Sequence, residues 1–172
     1  DLHVQAGRLQ RTQRLHHLGR QEGRRRAAEL LDASELRQLF EVRMLLEPPA
    51  AALAAFLARR RRSPLKAVLL MQERFPGIGN WMADEILWRA RLHPSAAAGS
   101  LDDEAVASLW RATRRVARLA LDTIDDGWGY PSTWLFPHRW EPGGHCPRCR
   151  AALDRATVGG RTTCWCPRCQ PE

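Results

Sequence analysis

Two copies of the tetrapeptide Cys-Pro-Arg-Cys near the end of the chain constrain its fold more than any other feature. Sixteen residues separate the two copies. Each copy places two thiolates on one tight turn, and two such turns supply the four sulfur ligands that a tetrahedral Zn²⁺ ion prefers. Because four thiolates leave no coordination position open, we predict one structural Zn²⁺. Its expected ligands are Cys146, Cys149, Cys166 and Cys169.

The residues between the two cysteine pairs predict the shape of this segment. Val158-Gly159-Gly160 is a candidate hairpin turn, so we expect a small two-stranded β zinc ribbon. The fifth cysteine, Cys164, is interpreted as a small buried apolar residue. Two disulfides are the alternative use of the paired cysteines. The absence of a visible secretory signal favours zinc.

Upstream of the ribbon, four segments carry apolar residues at helical spacing. They run from Ala50 to Leu57, from Lys66 to Phe75, from Trp81 to Arg91, and from Ser100 or Asp102 to about Ile124. Core positions expected in and beside the second and third helices are Leu65, Val68, Leu69, Phe75, Met82, Ile86, Leu87 and Ala90. The sequence therefore predicts a mainly α fold, in which a four-helix domain is followed by the β ribbon.

Arginine supplies nearly all of the positive charge in this chain of 172 residues, whose formal net charge is +8. Lys66 is the sole lysine. Guanidinium groups make two-pronged contacts with phosphates, and a basic surplus favours a polyanionic partner. No apolar run is long enough to span a membrane, and no signal peptide is visible at the start. We expect a cytoplasmic protein that is a monomer and has no membrane partner.

The stretch "FPGIGN" places two glycines and an asparagine where the third helix begins. Glycine permits backbone angles and close approaches that a Cβ forbids, and the first N–H groups of a helix are unpaired. A turn of this kind can bind a phosphate, through Gly77, Gly79 and Asn80. The alternative is a helix–helix turn that uses glycine for its geometry alone.

The stretch from Leu65 to Pro94 resembles the helix–two-turns–helix region of the formamidopyrimidine-DNA glycosylase and endonuclease VIII family. The sequence "GRTTCWCPRCQ" from Gly160 resembles the zinc finger of the same family. The resemblance implies a base-excision repair protein, associated with the bacterial nucleoid, that binds damaged double-stranded DNA. By motif match, Asn80 and Arg161 hold phosphates near the lesion, and Lys66 corresponds to a lysine that lies beside a phosphate.

The resemblance also implies a division of the chain. Residues 47–128 form the helix–two-turns–helix domain and residues 134–172 form the zinc finger. Residues 1–46 are polar and Arg-rich, and two interpretations stay open for them: a partly disordered segment, or the remnant of a missing β-rich domain. The stretch from Asp125 to Trp134 is short for the loop that covers a flipped purine in this family, which puts specificity for 8-oxoguanine in doubt.

The family implies a bifunctional DNA glycosylase and AP lyase whose chain begins with proline and glutamate. The proline amine attacks the sugar and the glutamate transfers protons. This chain begins Asp1-Leu2-His3, so we expect no catalytic residue in it and predict the DNA-binding portion of such an enzyme.

Three other interpretations stay open. "FPGIG" also resembles the helix-hairpin-helix of other DNA glycosylases, many of which use a lysine nucleophile, although Lys66 precedes the hairpin rather than following it. The chain also fits a non-catalytic zinc-ribbon protein that binds nucleic acid. A ribosomal or transcription accessory protein would match its charge and zinc ligands alone.

Overall fold

The computed structural model describes residues 50–125, 130–140 and 143–172, apart from the side chains of Ile124 and Asp125. All of these residues belong to one compact unit, Val42–Glu172. The Arg-rich segment 1–46 lies outside the described residues. The same holds for residues 126–129, which are part of the short connection that bears on 8-oxoguanine specificity.

Four α-helices and a two-stranded antiparallel sheet make up the described architecture, with two single-turn 3₁₀ helices. The helices are α1 (Ala50–Arg59), α2 (Leu65–Leu69), α3 (Asn80–Ala90) and α4 (Asp103–Asp125), and the 3₁₀ turns are Ala98–Ser100 and Phe136–His138. The strands are β1 (Asp154–Val158) and β2 (Arg161–Trp165). The predicted fold class, mainly helical with a small β ribbon, is confirmed.

The long helix α4 shows why the four helices form one core. Asp102 caps it, because the Asp102 carboxylate accepts a hydrogen bond from the Ala105 N–H at 2.8 Å. Leu109 and Val116 on one face are fully buried, and the opposite face is basic and exposed. Its exposed arginines are Arg111, Arg114, Arg115 and Arg118. Every core position expected in and beside the second and third helices is buried.

Helix α2 is shorter than predicted, because it ends at Leu69 rather than continuing to Phe75. The chain then turns, and the N–H groups of Arg74 and Phe75 both bond the carbonyl of Met71. Phe75 still reaches the core, so its apolar character could not distinguish a turn from another helical turn. The shortening creates the loop that precedes α3.

The tip of the β1–β2 hairpin contacts α2. Gly159 and Gly160 both have positive φ angles, +61° and +73°, which fits a two-residue hairpin loop. A Cβ on Gly159 would lie 2.9 Å from the Ala67 Cα. The absence of a side chain at this position therefore lets the hairpin rest on the α2 backbone.

Among the described helices, none is both long enough and apolar enough to cross a lipid bilayer.

Candidate nucleic-acid interface and metal centre

The four predicted zinc ligands converge at one point. The Sγ atoms of Cys146, Cys149, Cys166 and Cys169 all lie within 4.8 Å of one another. Two Sγ–Sγ separations are 3.4 and 3.9 Å, whereas tetrahedral Zn–S bonds of about 2.3 Å give separations of about 3.8 Å. A disulfide requires about 2.05 Å, and all five cysteines are free thiols. The arrangement therefore fits one structural Zn²⁺ and not two disulfides.

Helix α3 contributes to the surroundings of the metal centre through Trp88. Its buried indole N–H donates to the Cys146 Sγ at 3.4 Å. Arg148, from the first Cys-Pro-Arg-Cys turn, lies 4.1 Å above the Trp88 ring and donates to the Trp88 carbonyl at 3.3 Å. Cys164 is buried on β2 and is not a member of the four-sulfur cluster. Trp88 therefore attaches the metal centre to the helical domain.

Replacing Trp88 with phenylalanine should weaken zinc binding about 10-fold, because hydrogen bonds to metal ligands orient them and tune their affinity. Trp88→Phe keeps an aromatic ring beneath Arg148 but loses the donor to Cys146. Competition with a chromophoric chelator measures the affinity. Trp110→Phe on α4 is the matched control and should leave zinc affinity unchanged. Equal affinities for Trp88→Phe and the parent would contradict the assignment.

The loop before α3 is held by Gln72. The Gln72 amide accepts from the Gly77 N–H at 3.2 Å and donates to the Ile78 carbonyl at 2.9 Å. Gly77 has a φ angle of +84°, so its conformation requires glycine. Gly79 is extended, and a Cβ placed there would meet nothing within 4 Å. The predicted phosphate-binding N–H of Gly77 is therefore already engaged by Gln72, whereas Gly79 faces open space.

The N-terminus of α3 has the unpaired N–H groups that an anion can bind. The first hydrogen bond across this turn joins the Ala83 N–H to the Gly79 carbonyl at 3.0 Å. The three N–H groups before Ala83 have no acceptor within the helix, and the cap residue supplies no side-chain acceptor. Unpaired N–H groups and the helix dipole favour a negative ligand at such a terminus.

The Asn80 side chain joins the N-terminus of α3 to the ribbon. Its side-chain Nδ2 donates to the Thr162 carbonyl at 2.9 Å, across 82 residues of sequence. Arg161, the neighbour of Thr162 at the start of β2, has an exposed side chain. The structure therefore places the two predicted phosphate ligands, Asn80 and Arg161, on adjoining parts of one surface. The second hydrogen of Nδ2 is not used by the bond to Thr162, because an amide nitrogen carries two.

Lys66 lies inside the protein rather than on this surface. Its side chain is fully buried, and its ammonium donates to the Asn80 carbonyl at 2.6 Å and to the Asp84 carboxylate. Burial lowers the pKa of the Lys66 ammonium, and the Asp84 carboxylate opposes that effect. Two of its three N–H donors therefore bond protein acceptors, and the position of Lys66 beside a phosphate stays a prediction.

Asp84 connects Lys66 to the ribbon. Its second carboxylate oxygen accepts from Arg139 Nε at 3.0 Å, from Arg139 Nη2 at 2.6 Å and from the Cys164 N–H at 3.2 Å. Asp84 and Arg139 are not among the site residues that the sequence predicts. The available signal was an Asp-Glu pair inside an otherwise apolar helix, since buried carboxylates require partners.

Glu85, the other member of that pair, is also fully buried but has different partners. It accepts from Arg89 Nε at 2.8 Å and from the Phe136 N–H at 3.2 Å. Burial raises the pKa of Glu85, and the Arg89 guanidinium opposes this. Glu85 therefore holds the segment after α4 without touching the surface formed by Asn80 and Arg161.

Comparison with known proteins identifies both parts of this arrangement. Residues 45–130 match the model of the formamidopyrimidine-DNA glycosylase H2TH domain. Residues 143–171 match the model of a zinc finger found in formamidopyrimidine-DNA glycosylases and isoleucyl-tRNA synthetases. The first match alone covers half of the chain.

Relatives and solved structures agree with the family models. A formamidopyrimidine-DNA glycosylase of Arabidopsis thaliana is 36% identical over 126 residues, covering 73% of this chain and 32% of that protein. An endonuclease 8 of Pectobacterium atrosepticum is 32% identical over 128 residues, covering 73% and 49%.

A crystal structure of Lactococcus lactis formamidopyrimidine-DNA glycosylase in complex with DNA containing an abasic site superposes with a TM-score of 0.62 at 25% identity. It covers 72% of this chain and 48% of that one. The chain thus spans 32% to 49% of the length of these three proteins. It belongs to the formamidopyrimidine-DNA glycosylase and endonuclease VIII family.

Proposed function

We propose that this chain binds damaged double-stranded DNA as the DNA-binding portion of a base-excision repair glycosylase and AP lyase. Binding occurs through a phosphate clamp, defined here as the Asn80 side chain together with the Arg161 guanidinium. The observation that carries the proposal is the hydrogen bond from Asn80 to Thr162. That bond joins the start of α3 to the finger residue next to Arg161.

Three further properties support a DNA phosphate as the ligand of the clamp. The start of α3 offers unpaired N–H groups next to Asn80, Arg161 is exposed beside it, and the whole chain carries a net charge of +8. The Lactococcus lactis relative is a glycosylase seen in complex with DNA that contains an abasic site. An abasic-site duplex is therefore the appropriate probe.

The surroundings of Lys66 argue against the lysine-nucleophile alternative. An imine-forming amine must be unprotonated and must reach the sugar C1′. The Lys66 ammonium is fully buried and paired with Asp84, which keeps it from the DNA surface. We assign no catalytic role to any described residue, and the glycosylase and lyase activity is proposed for the whole protein.

The proposal also includes the organisation of the chain. Residues 47–128 act as the helix–two-turns–helix domain and residues 134–172 as the zinc finger, with the Arg-rich segment 1–46 before them. We propose that the protein acts as a monomer on nucleoid DNA in the bacterial cytoplasm.

Removing either member of the clamp should weaken binding to an abasic-site duplex by about 1–3 kcal/mol, or about 5- to 150-fold in Kd. The two variants should differ in their salt dependence. Arg161→Ala should reduce the slope of log K against log salt by about 1, because one phosphate charge is no longer neutralised. Asn80→Ala removes no charge and should leave the slope unchanged. Fluorescence anisotropy at several salt concentrations measures both quantities.

The control for these variants is Arg168→Ala. Arg168 is another exposed arginine, at the metal-binding end of the ribbon and away from the hairpin that carries Arg161. Its removal should change Kd by less than about twofold, within the range expected of a residue that makes no contact. Parent-like affinity of both clamp variants would refute the assignment.

A further inference from the structure

Three charged side chains form one buried network behind the clamp. Lys66, Asp84 and Arg139 are at most 5% exposed as side chains. Asp84 pairs with both cations, so the network carries two positive charges, one negative charge and a net charge of +1. Its members come from α2, from α3 and from the segment between α4 and the ribbon.

Hydrogen bonds link the network to the backbone on both sides of the clamp. Lys66 donates to the backbone carbonyl of Asn80 at 2.6 Å. Arg139 Nη2 reaches the backbone carbonyl of Thr162 at 3.4 Å, which is the same oxygen that accepts from Asn80 Nδ2. The backbone atoms that carry Asn80 and Arg161 are therefore tied to one another through Asp84.

Stability alone is a weak explanation for such a network. Removing charges from water costs several kcal/mol per ion, and apolar replacements of buried ion pairs are often as stable. What an ionic network supplies is directional hydrogen bonding, since each donor and acceptor requires its partner at a defined distance and angle. Here Lys66 and Arg139 direct hydrogen bonds at the backbone carbonyls of Asn80 and Thr162, which lie at the clamp.

We propose that Lys66 and Arg139, held together by Asp84, are positioning residues that set the spacing between Asn80 and Arg161 to match one DNA phosphate. This inference rests on the proposed function, because it requires the clamp to bind phosphate. Lys66 acts through Asn80 and does not contact the DNA. Arg139 acts through Thr162 on Arg161.

Double-mutant cycles distinguish positioning from the other roles of Lys66. Lys66→Met preserves side-chain length and leaves the neutral Asp84–Arg139 pair in place. It should weaken binding of an abasic-site duplex about fivefold in the parent, and by less than about twofold when Asn80 is already alanine, because coupled residues are not additive. The slope of log K against log salt should stay the same, since no phosphate contact is lost.

Each alternative role gives a different result in this cycle. A direct contact between Lys66 and a phosphate would cost the same affinity in both backgrounds and would lower the salt slope by about 1. A role confined to stability would lower the melting temperature and leave the affinity of the folded protein unchanged in both backgrounds. Either result would overturn the inference.

The cycle of Arg139→Lys with Arg161→Ala tests the other half of the network. Lysine keeps the charge beside Asp84 but loses the two-pronged geometry and the contact with Thr162. Arg139→Lys should weaken binding about fivefold in the parent, and this effect should vanish when Arg161 is already alanine. If Lys66→Met loses zinc or helical content, this cycle decides the question by the same criterion.

Glu85→Gln is the matched control, because Glu85 is the next residue on α3 and is equally buried, with partners outside the clamp. It should leave affinity within about twofold in every background. A parent chain that fails to bind the abasic-site duplex would reject the proposed function itself. Additive cycles in a parent that does bind would reject only the positioning role.

Discussion

Removal of zinc is expected to unfold the ribbon and to abolish DNA binding. Structural zinc contributes about 10–16 kcal/mol to small domains of this kind at neutral pH, which exceeds what a two-stranded hairpin can supply by itself. Without the ribbon, Thr162 no longer accepts from Asn80 and Arg161 loses its position. Elemental analysis of protein purified without chelator should give one zinc per chain, and EDTA treatment should eliminate binding to an abasic-site duplex.

Two cysteine variants sharpen this test. Cys146→Ser removes a ligand and should lose both the metal and the DNA affinity. Cys164→Ser alters the buried cysteine outside the cluster and should retain one zinc per chain. Absence of zinc from the parent, or full DNA affinity after its removal, would contradict the expectation.

Asp84→Ala should lower the free energy of unfolding by about 3–5 kcal/mol, because it leaves two buried cations facing each other without an anion. Removing Asp84 and removing Lys66 change the net buried charge in opposite directions. Losing Asp84 raises the net buried charge from +1 to +2, whereas losing Lys66 reduces it from +1 to 0. Lys66→Met should therefore cost markedly less, even though both side chains are completely buried.

Urea denaturation of the zinc-loaded proteins measures this order. Asp84→Asn should fall between the two variants, since the amide keeps the volume and part of the hydrogen bonding but loses the charge. Equal destabilisation by Asp84→Ala and Lys66→Met would show that lost packing, and not unpaired charge, dominates the cost.

The features that the sequence predicts correctly depend on residues that lie close together in the chain. The spacing of the paired cysteines determines where four sulfurs can meet, and Gly159-Gly160 suits a tight hairpin loop. Each of these signals is contained in a few consecutive residues, so the sequence carries it directly.

The features that were not predictable depend on distant partners. Asp84 meets Arg139 across 55 residues, and no pattern along the chain pairs them. The end of α2 is a local exception, because the Gln72 side chain bonds residues only five and six positions further along the chain, in a loop that apolar spacing alone does not reveal. The resemblance implies that Lys66 lies beside a phosphate, and it does not predict the burial of the side chain. Its burial follows only from the acceptors that α3 provides.

The contact between Gly159 and Ala67 restricts which zinc fingers could replace this one. The hairpin tip rests on the α2 backbone at a distance that leaves no room for a side chain. A zinc finger from another protein that has a larger residue at the position of Gly159 would clash with α2. The clash would displace the finger from the helix even if the finger bound its zinc normally. Exchange of fingers between members of the family is therefore limited to donors with glycine at the hairpin tip and to recipient helices whose surface at that point is equally small.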